Sequence, residues 1–212
     1  MTEDLEHMRE DYEGPSLRRS DMASHWLQQL ERWIDDAVRA QLPEPNAMVL
    51  ATADVDAVPS VRTVLCKGLD EQGLTFFTNL RSRKGRELTA NPRGAVVFPW
   101  IGLHRQAIVD GAIEPLDEAE ADEYFASRPR GSQLGAVASA QSQPVESRAE
   151  LEEAYREAEA RYPDRVDRPE HWGGLRLRPD QVEFWQGRHD RLHDRVRYRH
   201  TVGEWVVERL AP

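Results

Sequence analysis

Hydrophobic positions change their period along the chain. Over residues 21–41, Trp26, Leu27, Leu30, Trp33, Ile34, Ala37 and Val38 recur at three- and four-residue intervals. That spacing places one buried stripe on a helix. Ser20 or Asp21 is positioned to cap its start, and Pro43 with Pro45 enforces its stop. From residue 47 the pattern turns to short β-branched and aromatic runs: AMVLATA (47–53), PSVRTVLCK (59–67), LTFFTN (74–79), GAVVFPW (94–100) and RQAIVDGAIEPL (105–116). Turn formers such as Asp70-Glu71-Gln72-Gly73 separate several of them. Five short strands with tight links predict an antiparallel sheet or barrel. A short helix at about 81–91 interrupts the series. Residues 117–128 and 146–161 read as helices, the second so charged that it belongs on the surface. Pro129 ends the first at about 128 and permits a new start beyond it. HWGGLRLRPDQVEFWQG, RLHDRVRYRH and GEWVVERL read as the last strands of the same sheet. Residues 1–20 are polar and read as a mobile arm; residues 21–212 read as a single domain, mostly β with peripheral helices.

Composition narrows the class of partner. A chain of 212 residues fits one domain of ordinary size. Its formal net charge of −10 argues against general nucleic-acid binding, which needs many cations facing phosphates. Any anion site is therefore a local pocket of positive charge. Cys66 is the single cysteine, which excludes a disulfide within the chain and a thiolate cluster for zinc or iron–sulfur. It lies in the apolar run VLC and reads as a small core residue. The stretch MTEDLEHMRED has no apolar core of a secretory signal, and no apolar run has the length that spans a bilayer. These features predict a cytoplasmic protein with no membrane partner.

Five polar clusters are candidates for chemistry. Arg62 and Lys67 lie five positions apart in RTVLCK, so a regular strand would send them to opposite faces. Taken alone they read as exposed edge charges. In FFTNLRSRKG a strand runs into a helix start carrying Arg81, Arg83 and Lys84. Cations there oppose the helix dipole, which favours an anion at that point; a solvated basic turn is the competing reading. Tyr124, Arg128 and Ser132 recur at four-residue spacing and offer hydroxyls and a guanidinium suited to phosphate. Gln106, Gln141 and Ser142 carry amides and a hydroxyl that could read a heterocycle's polar edge. Finally, EFWQGRHDRLHDR crowds three arginines and two histidines behind two aromatics. His189 and His193 have the spacing of helical zinc ligands, but the neighbouring arginines and strand-like flanks argue against a metal.

The clusters occur in a known order. The chain resembles the pyridoxamine 5′-phosphate oxidase family through RTVLCK, FFTN, SRK, FPW, RQ, YFASRPRGSQ, QS, EFWQG, RLHDR and the terminal RLAP, from about Met8 to Pro212. The resemblance implies a split β-barrel homodimer with FMN bound in two equivalent clefts between subunits. It assigns Arg62, Lys67, Phe77, Thr78, Arg83, Lys84, Gln106, Gln141, Ser142, Trp185 and Arg195 to FMN. It assigns Lys67, Tyr124, Arg128 and Ser132 to the substrate phosphate, Arg191 and His193 to catalysis beside the pyridine ring, and Arg9 and Tyr12 to a segment that can cover the substrate. It further implies oxidation of the 4′ carbon of pyridoxamine or pyridoxine 5′-phosphate to pyridoxal 5′-phosphate. Molecular oxygen is the acceptor, giving hydrogen peroxide, and the amine also gives ammonia. Asp190 and Asp194 are expected to limit repulsion and orient the hairpin's cations. A binding protein that holds a flavin without turnover is a rival, as is a related flavin oxidoreductase with another substrate. The presence of both Arg191 and His193 counts against the first, and Tyr124, Arg128 and Ser132 count against the second.

Overall fold

The computed structural model describes residues 7, 8, 11, 12 and 14–212. Arg9, expected to help cover the substrate, lies outside them. Nine strands follow in chain order: β1 (Ala47–Ala53), β2 (Pro59–Leu65), β3 (Gly68–Asp70), β4 (Gly73–Asn79), β5 (Arg93–Trp100), β6 (Arg105–Pro115), β7 (Trp172–Gln186), β8 (Asp194–Thr201) and β9 (Glu204–Leu210). Five helices accompany them: α1 (Trp26–Arg39), α2 (Arg83–Ala90), α3 (Glu118–Ser127), α4 (Arg130–Ala138) and α5 (Arg148–Arg161). The strands form one sheet in the order β2-β1-β5-β6-β7-β4-β3, with β8 on β7 and β9 on β8. By contact the chain divides into two compact units.

The first unit comprises Met1–Val49, Ala95–Asp110 and Pro179–Pro212. Of the predicted stripe of α1, Trp26, Leu30, Trp33 and Ala37 are buried and form the unit's core; Leu27 and Ile34 are half-buried at the stripe's margins, and Val38, expected in the stripe, is exposed near the helix end. Trp33 meets Phe184 edge-on at 5.0 Å between ring centres. The helix begins later than Ser20 or Asp21 would allow. Its cap is His25, whose Nδ1 accepts from the Leu27 N–H at 3.3 Å. The cause is tertiary. The Ala23 carbonyl accepts from the buried Tyr198 hydroxyl at 2.6 Å, and its N–H donates to Gln29 at 3.0 Å. Both bonds favour an extended approach through Met22, and a single 3₁₀ turn at Arg19–Asp21 lies ahead of it. Leu17 is buried, and its N–H donates to Asp194 at 2.9 Å.

The second unit comprises Leu50–Gly94 and Gly111–Arg178. β2 stops at Leu65 rather than continuing to residue 67. The Lys67 N–H then donates to the Thr75 carbonyl at 2.8 Å, turning the chain into β3. At three residues, β3 is too short for a periodic signal. The predicted turn at Asp70–Gly73 closes the β3–β4 hairpin, with the Asp70 carboxylate accepting from Gln72 and Gly73 N–H at 2.7 and 3.0 Å. β4 is buried on both faces apart from Phe77, consistent with its continuous apolar run. Pro129 divides α3 from α4 as expected, with Arg128 extended between them. Phe125, Leu134, Ala158, Val166 and Trp172 form a buried cluster that ties α3, α4 and α5 to the start of β7.

α2 depends on one close approach. Ser82 caps it by accepting from the Gly85 N–H at 3.3 Å, and Gly85 packs so tightly that a Cβ there would collide with the Leu80 carbonyl. Gly85→Ala should cost ~1–3 kcal/mol, the usual penalty for overpacking a fixed backbone. Urea unfolding monitored by tryptophan fluorescence checks this; an unchanged midpoint would show that the contact is relaxed in solution.

Candidate functional site

Most of the sequence-predicted residues of the second unit converge on one cavity of about 700 Å³. Its walls include Arg62 from β2, Lys67 from the turn after β2, Phe77 and Thr78 from β4, Lys84 from α2, Tyr124 and Arg128 around the end of α3, Ser132 from α4, and Gln141. The expected divergence of Arg62 and Lys67 does not occur, because β2 ends before Lys67 and strand alternation no longer applies. Lys67 and Ser132 are exposed, Thr78 and Lys84 are buried, and Arg62, Phe77, Tyr124 and Arg128 lie between.

Two linked groups make up the polar lining. In one, the Lys84 ammonium donates to Gln141 Oε1 at 2.7 Å and to Ser82 Oγ at 3.3 Å, while Thr78 reaches the same Gln141 oxygen at 3.5 Å. Burial, and then the charge of Arg62, lower the Lys84 pKa to about 8. In the other, Phe77 and Tyr124 stack at 4.0 Å and Phe77 and Trp172 at 5.3 Å, nearly parallel. The Arg128 guanidinium lies 4.8 Å over the Trp172 ring. Burial lowers its pKa as well, and its Nη1 is buried with no hydrogen-bond partner among the described residues. Gly174 pairs with Phe77 across β4 and β7, and a Cβ there would meet the Phe77 ring at 2.7 Å. The Gly173-Gly174 pair therefore leaves room for a flat aromatic wall.

Behind the cavity lies Glu87, a residue the sequence reading passed over. It is 5% exposed. Its Oε2 accepts from Thr52, from Ser60 at 2.6 Å and from Arg62 at 3.2 Å; its Oε1 accepts from Arg83 at 2.8 Å. Burial pushes the carboxyl pKa up, but hydrogen bonds from Ser60, Thr52, Arg83 and Arg62 together outweigh it and hold the pKa at about 2. Arg83 points to this carboxylate, is largely exposed, and is not part of the cavity lining. Trp172 was the other omission. The only sequence signal for Glu87 was its place one turn after Arg83, and for Trp172 its place beside the glycine pair.

The remaining predicted residues belong to the first unit. Trp185 on β7 faces Arg195 in the β7–β8 register. His193 lies 4.7 Å from the Trp185 ring, and Tyr12 lies 5.8 Å from His193 and 4.4 Å from His104. The His193 Nδ1 accepts from the Arg188 N–H at 3.1 Å, so its proton sits on Nε2 in the neutral form. Burial and then Arg191 lower its pKa, which favours that neutral form. Asp190 and Arg191 have left-handed backbone (φ 55° and 58°) in a single 3₁₀ turn, so no helix aligns His189 with His193. Arg195 is gripped by both oxygens of Glu183 at 2.7 and 2.9 Å. Asp194 does not orient Arg191 or Arg195 as expected. It accepts from Leu17 and Arg209 and lies 3.5 Å from Arg188, because it points toward the N-terminal stretch. Gln106 is half-buried on β6, and Ser142 is exposed at φ 70°. Cys66 is buried as expected, with its thiol pushed up to about 11 by burial.

Comparison with known proteins gives a consistent family. Residues 34–162 match the family model described as pyridoxamine 5′-phosphate oxidase, and residues 172–212 match the pyridoxine 5′-phosphate oxidase C-terminal dimerisation region. A protein of Nocardioides sp. named pyridoxine/pyridoxamine 5′-phosphate oxidase is 54% identical over 99% of this chain and 98% of its own. The protein of that name from Salinispora arenicola is 55% identical over 97% and 95%. Among solved structures, PhzG from Burkholderia lata 383, in complex with tetrahydrophenazine-1-carboxylic acid, superposes with a TM-score of 0.88 at 33% identity, covering 94% of this chain and 99% of that one. A pyridoxamine 5′-phosphate oxidase-related, FMN-binding protein of Nostoc punctiforme shares the fold, with a TM-score of 0.72 at 19% identity over 90% and 100% of the two chains. The fold is thus the expected one, mostly β with peripheral helices, of the split β-barrel class. No helix among the described residues is long and apolar enough to cross a membrane.

The depressed Glu87 pKa has a stability consequence. A carboxyl held below its unfolded value of 4.5 stabilises the fold above that pH, and the contribution is lost as pH falls from 4.5 through about 2. Melting temperatures of the native protein and Glu87→Gln should therefore differ most at neutral pH and converge as pH drops below 4.5. A gap that persists unchanged into acid would show that the carboxylate's charge is not what stabilises the site.

Proposed function

The chain belongs to the pyridoxine/pyridoxamine 5′-phosphate oxidase family, an oxidoreductase family of vitamin B6 metabolism, and from that premise we propose an FMN-dependent oxidase. It would convert pyridoxamine 5′-phosphate and pyridoxine 5′-phosphate to pyridoxal 5′-phosphate, with oxygen as acceptor and hydrogen peroxide as product, and ammonia also from the amine. The observation that carries this reading is the convergence of four cations, Arg62, Lys67, Lys84 and Arg128, on one cavity beside a stack of parallel rings. Charge of one sign collected in a partly buried space is costly unless anions share it.

The lining fits a flavin phosphate and a second phosphorylated, planar molecule. The buried Lys84 ammonium and the unpartnered Arg128 Nη1 are donors suited to phosphoryl oxygens. A cavity of about 700 Å³ lies within the range usual for small-molecule sites. FMN would be held by Arg62, Lys67, Phe77, Thr78, Arg83, Lys84, Gln106, Gln141, Ser142, Trp185 and Arg195. When bound, it supplies the two-electron oxidation of the substrate's 4′ carbon and the transfer of those electrons to oxygen.

This chain's residues bind, orient and manage protons. Lys67, Tyr124, Arg128 and Ser132 would grip the substrate phosphate, fixing the ring far from its reacting carbon. Arg191, exposed at the hairpin tip, and His193, whose Nδ1 accepts from the Arg188 N–H, would face the substrate's 4′ substituent and assist loss of its proton. Arg9 and Tyr12 would cover the bound substrate. We take residues 21–212 as one FMN-binding domain with residues 1–20 as an arm. We place the enzyme in the cytoplasm as a homodimer with its FMN sites between subunits, a reading supported by the match of residues 172–212 to a dimerisation region.

Two measurements test this. Purified protein mixed with pyridoxine or pyridoxamine 5′-phosphate in air should release hydrogen peroxide, and absence of peroxide with both would refute the oxidase. Arg191→Ala should keep its yellow flavin while turnover falls by ~10²–10⁴-fold, the usual worth of a positioned acid–base group. Unchanged turnover would remove Arg191 from the chemistry.

A further inference from the structure

The cations of the cavity need something to hold them, and the structure supplies one anion for the purpose. Glu87 sits on the inward face of α2, one turn after Arg83, and is 5% exposed. Its carboxylate accepts from four side chains on three elements: Thr52 on β1, Ser60 and Arg62 on β2, and Arg83 on α2. Arg62 is fixed twice over. Its Nη2 donates to Glu87 and Ser60, and its Nη1 donates to Thr52 and the Leu50 carbonyl. Four of its five N–H donors are thereby engaged, while the residue itself lines the cavity. Its charge still lies near enough to Lys84 to add to the effect of burial, which is the larger cause of that group's pKa falling to about 8.

We propose that Glu87 is a positioning residue for the flavin phosphate: by locking Arg62 and Arg83 and offsetting their repulsion with Lys84, it makes the cavity select the phosphorylated flavin over the unphosphorylated one. This rests on the FMN reading given above. The physical logic is pre-organisation. Two arginines and a lysine crowded around one α2 turn would splay apart without a central anion, and a phosphate would then have to gather them at binding. With Glu87 in place that ordering is complete beforehand. Glu87 is not among the residues that line the cavity, and of its hydrogen-bond donors Arg62 is the one that does, so its effect on the cavity travels through Arg62. A carboxylate this close to a phosphate site also repels the phosphate. The repulsion is tolerable because the Glu87 carboxylate already accepts from four donors, three on Oε2 and Arg83 on Oε1, two of them from guanidinium groups.

The test is a comparison of two flavins on the full-length protein stripped of cofactor, read by quenching of flavin fluorescence. The native protein should bind FMN far more tightly than riboflavin, which has the same ring and no phosphate. Glu87→Gln keeps the side chain's shape and removes its charge. It should weaken FMN binding by ~10–100-fold, the worth of one or two charge-assisted hydrogen bonds, and leave riboflavin binding unchanged. Ser60→Ala removes the hydroxyl that donates to Glu87 and accepts from Arg62, leaves no buried charge, and should weaken FMN alone by about 3–10-fold. If Glu87→Gln does not fold, Ser60→Ala decides. FMN affinity unchanged in the variants, or both flavins weakened in parallel, would overturn the positioning role while leaving the cofactor assignment intact. Native protein that binds riboflavin as tightly as FMN would overturn the phosphate assignment itself, and the role of Glu87 with it.

Discussion

Four cations share the lining of one cavity in a chain whose net charge is −10. The rest of the site follows from how that local excess is contained. Glu87 neutralises it from behind through Arg62 and Arg83. Gln141 and Ser82 take two of the three donors of Lys84. Trp172 supports Arg128 through its ring face. The containment is incomplete: Arg128 Nη1 is buried without a hydrogen-bond partner among the described residues. Positive charge beside a flat aromatic wall is what supports the proposal that the cavity receives planar molecules carrying phosphate.

The backbone serves the same arrangement. β4 is buried along nearly its whole length and delivers Phe77 and Thr78 to the cavity, while its continuation into α2 delivers Lys84 and Glu87 from one buried face, Lys84 to the cavity lining and Glu87 to Arg62. Gly85 lets that turn approach the Leu80 carbonyl, and Gly174 leaves space for the Phe77 ring. The proline that separates α3 from α4 puts Arg128 in extended conformation, free of the helix, with its guanidinium over Trp172.

Much of this was legible in the sequence wherever the signal was local. The α1 stripe, the five early strands, the Asp70–Gly73 turn and the break at Pro129 all rest on periodicity or turn chemistry, and all are present. What escaped detection depends on contacts between distant residues. The start of α1 is set by Tyr198 and Gln29 rather than by Ser20 or Asp21. β3 exists only because β4 pairs with it. A regular strand through RTVLCK would send Arg62 and Lys67 to opposite faces, and nothing in that stretch reveals that the strand ends before its lysine. Glu87 is a charged residue in a short polar helix, which reads as solvated surface until the donors from β1 and β2 are placed around it. Asp194 looked like a partner for Arg191 and Arg195 but meets Leu17, Arg209 and, among the hairpin's arginines, Arg188.

The most direct measurement is a crystal structure of the chain with both FMN and pyridoxal 5′-phosphate bound. The account predicts two separate phosphorus positions in the cavity of the second unit, one within hydrogen-bond reach of Arg62 and Lys84 and one within reach of Arg128 and Ser132. Phosphates bound elsewhere, or a single phosphate serving both groups of cations, would contradict it.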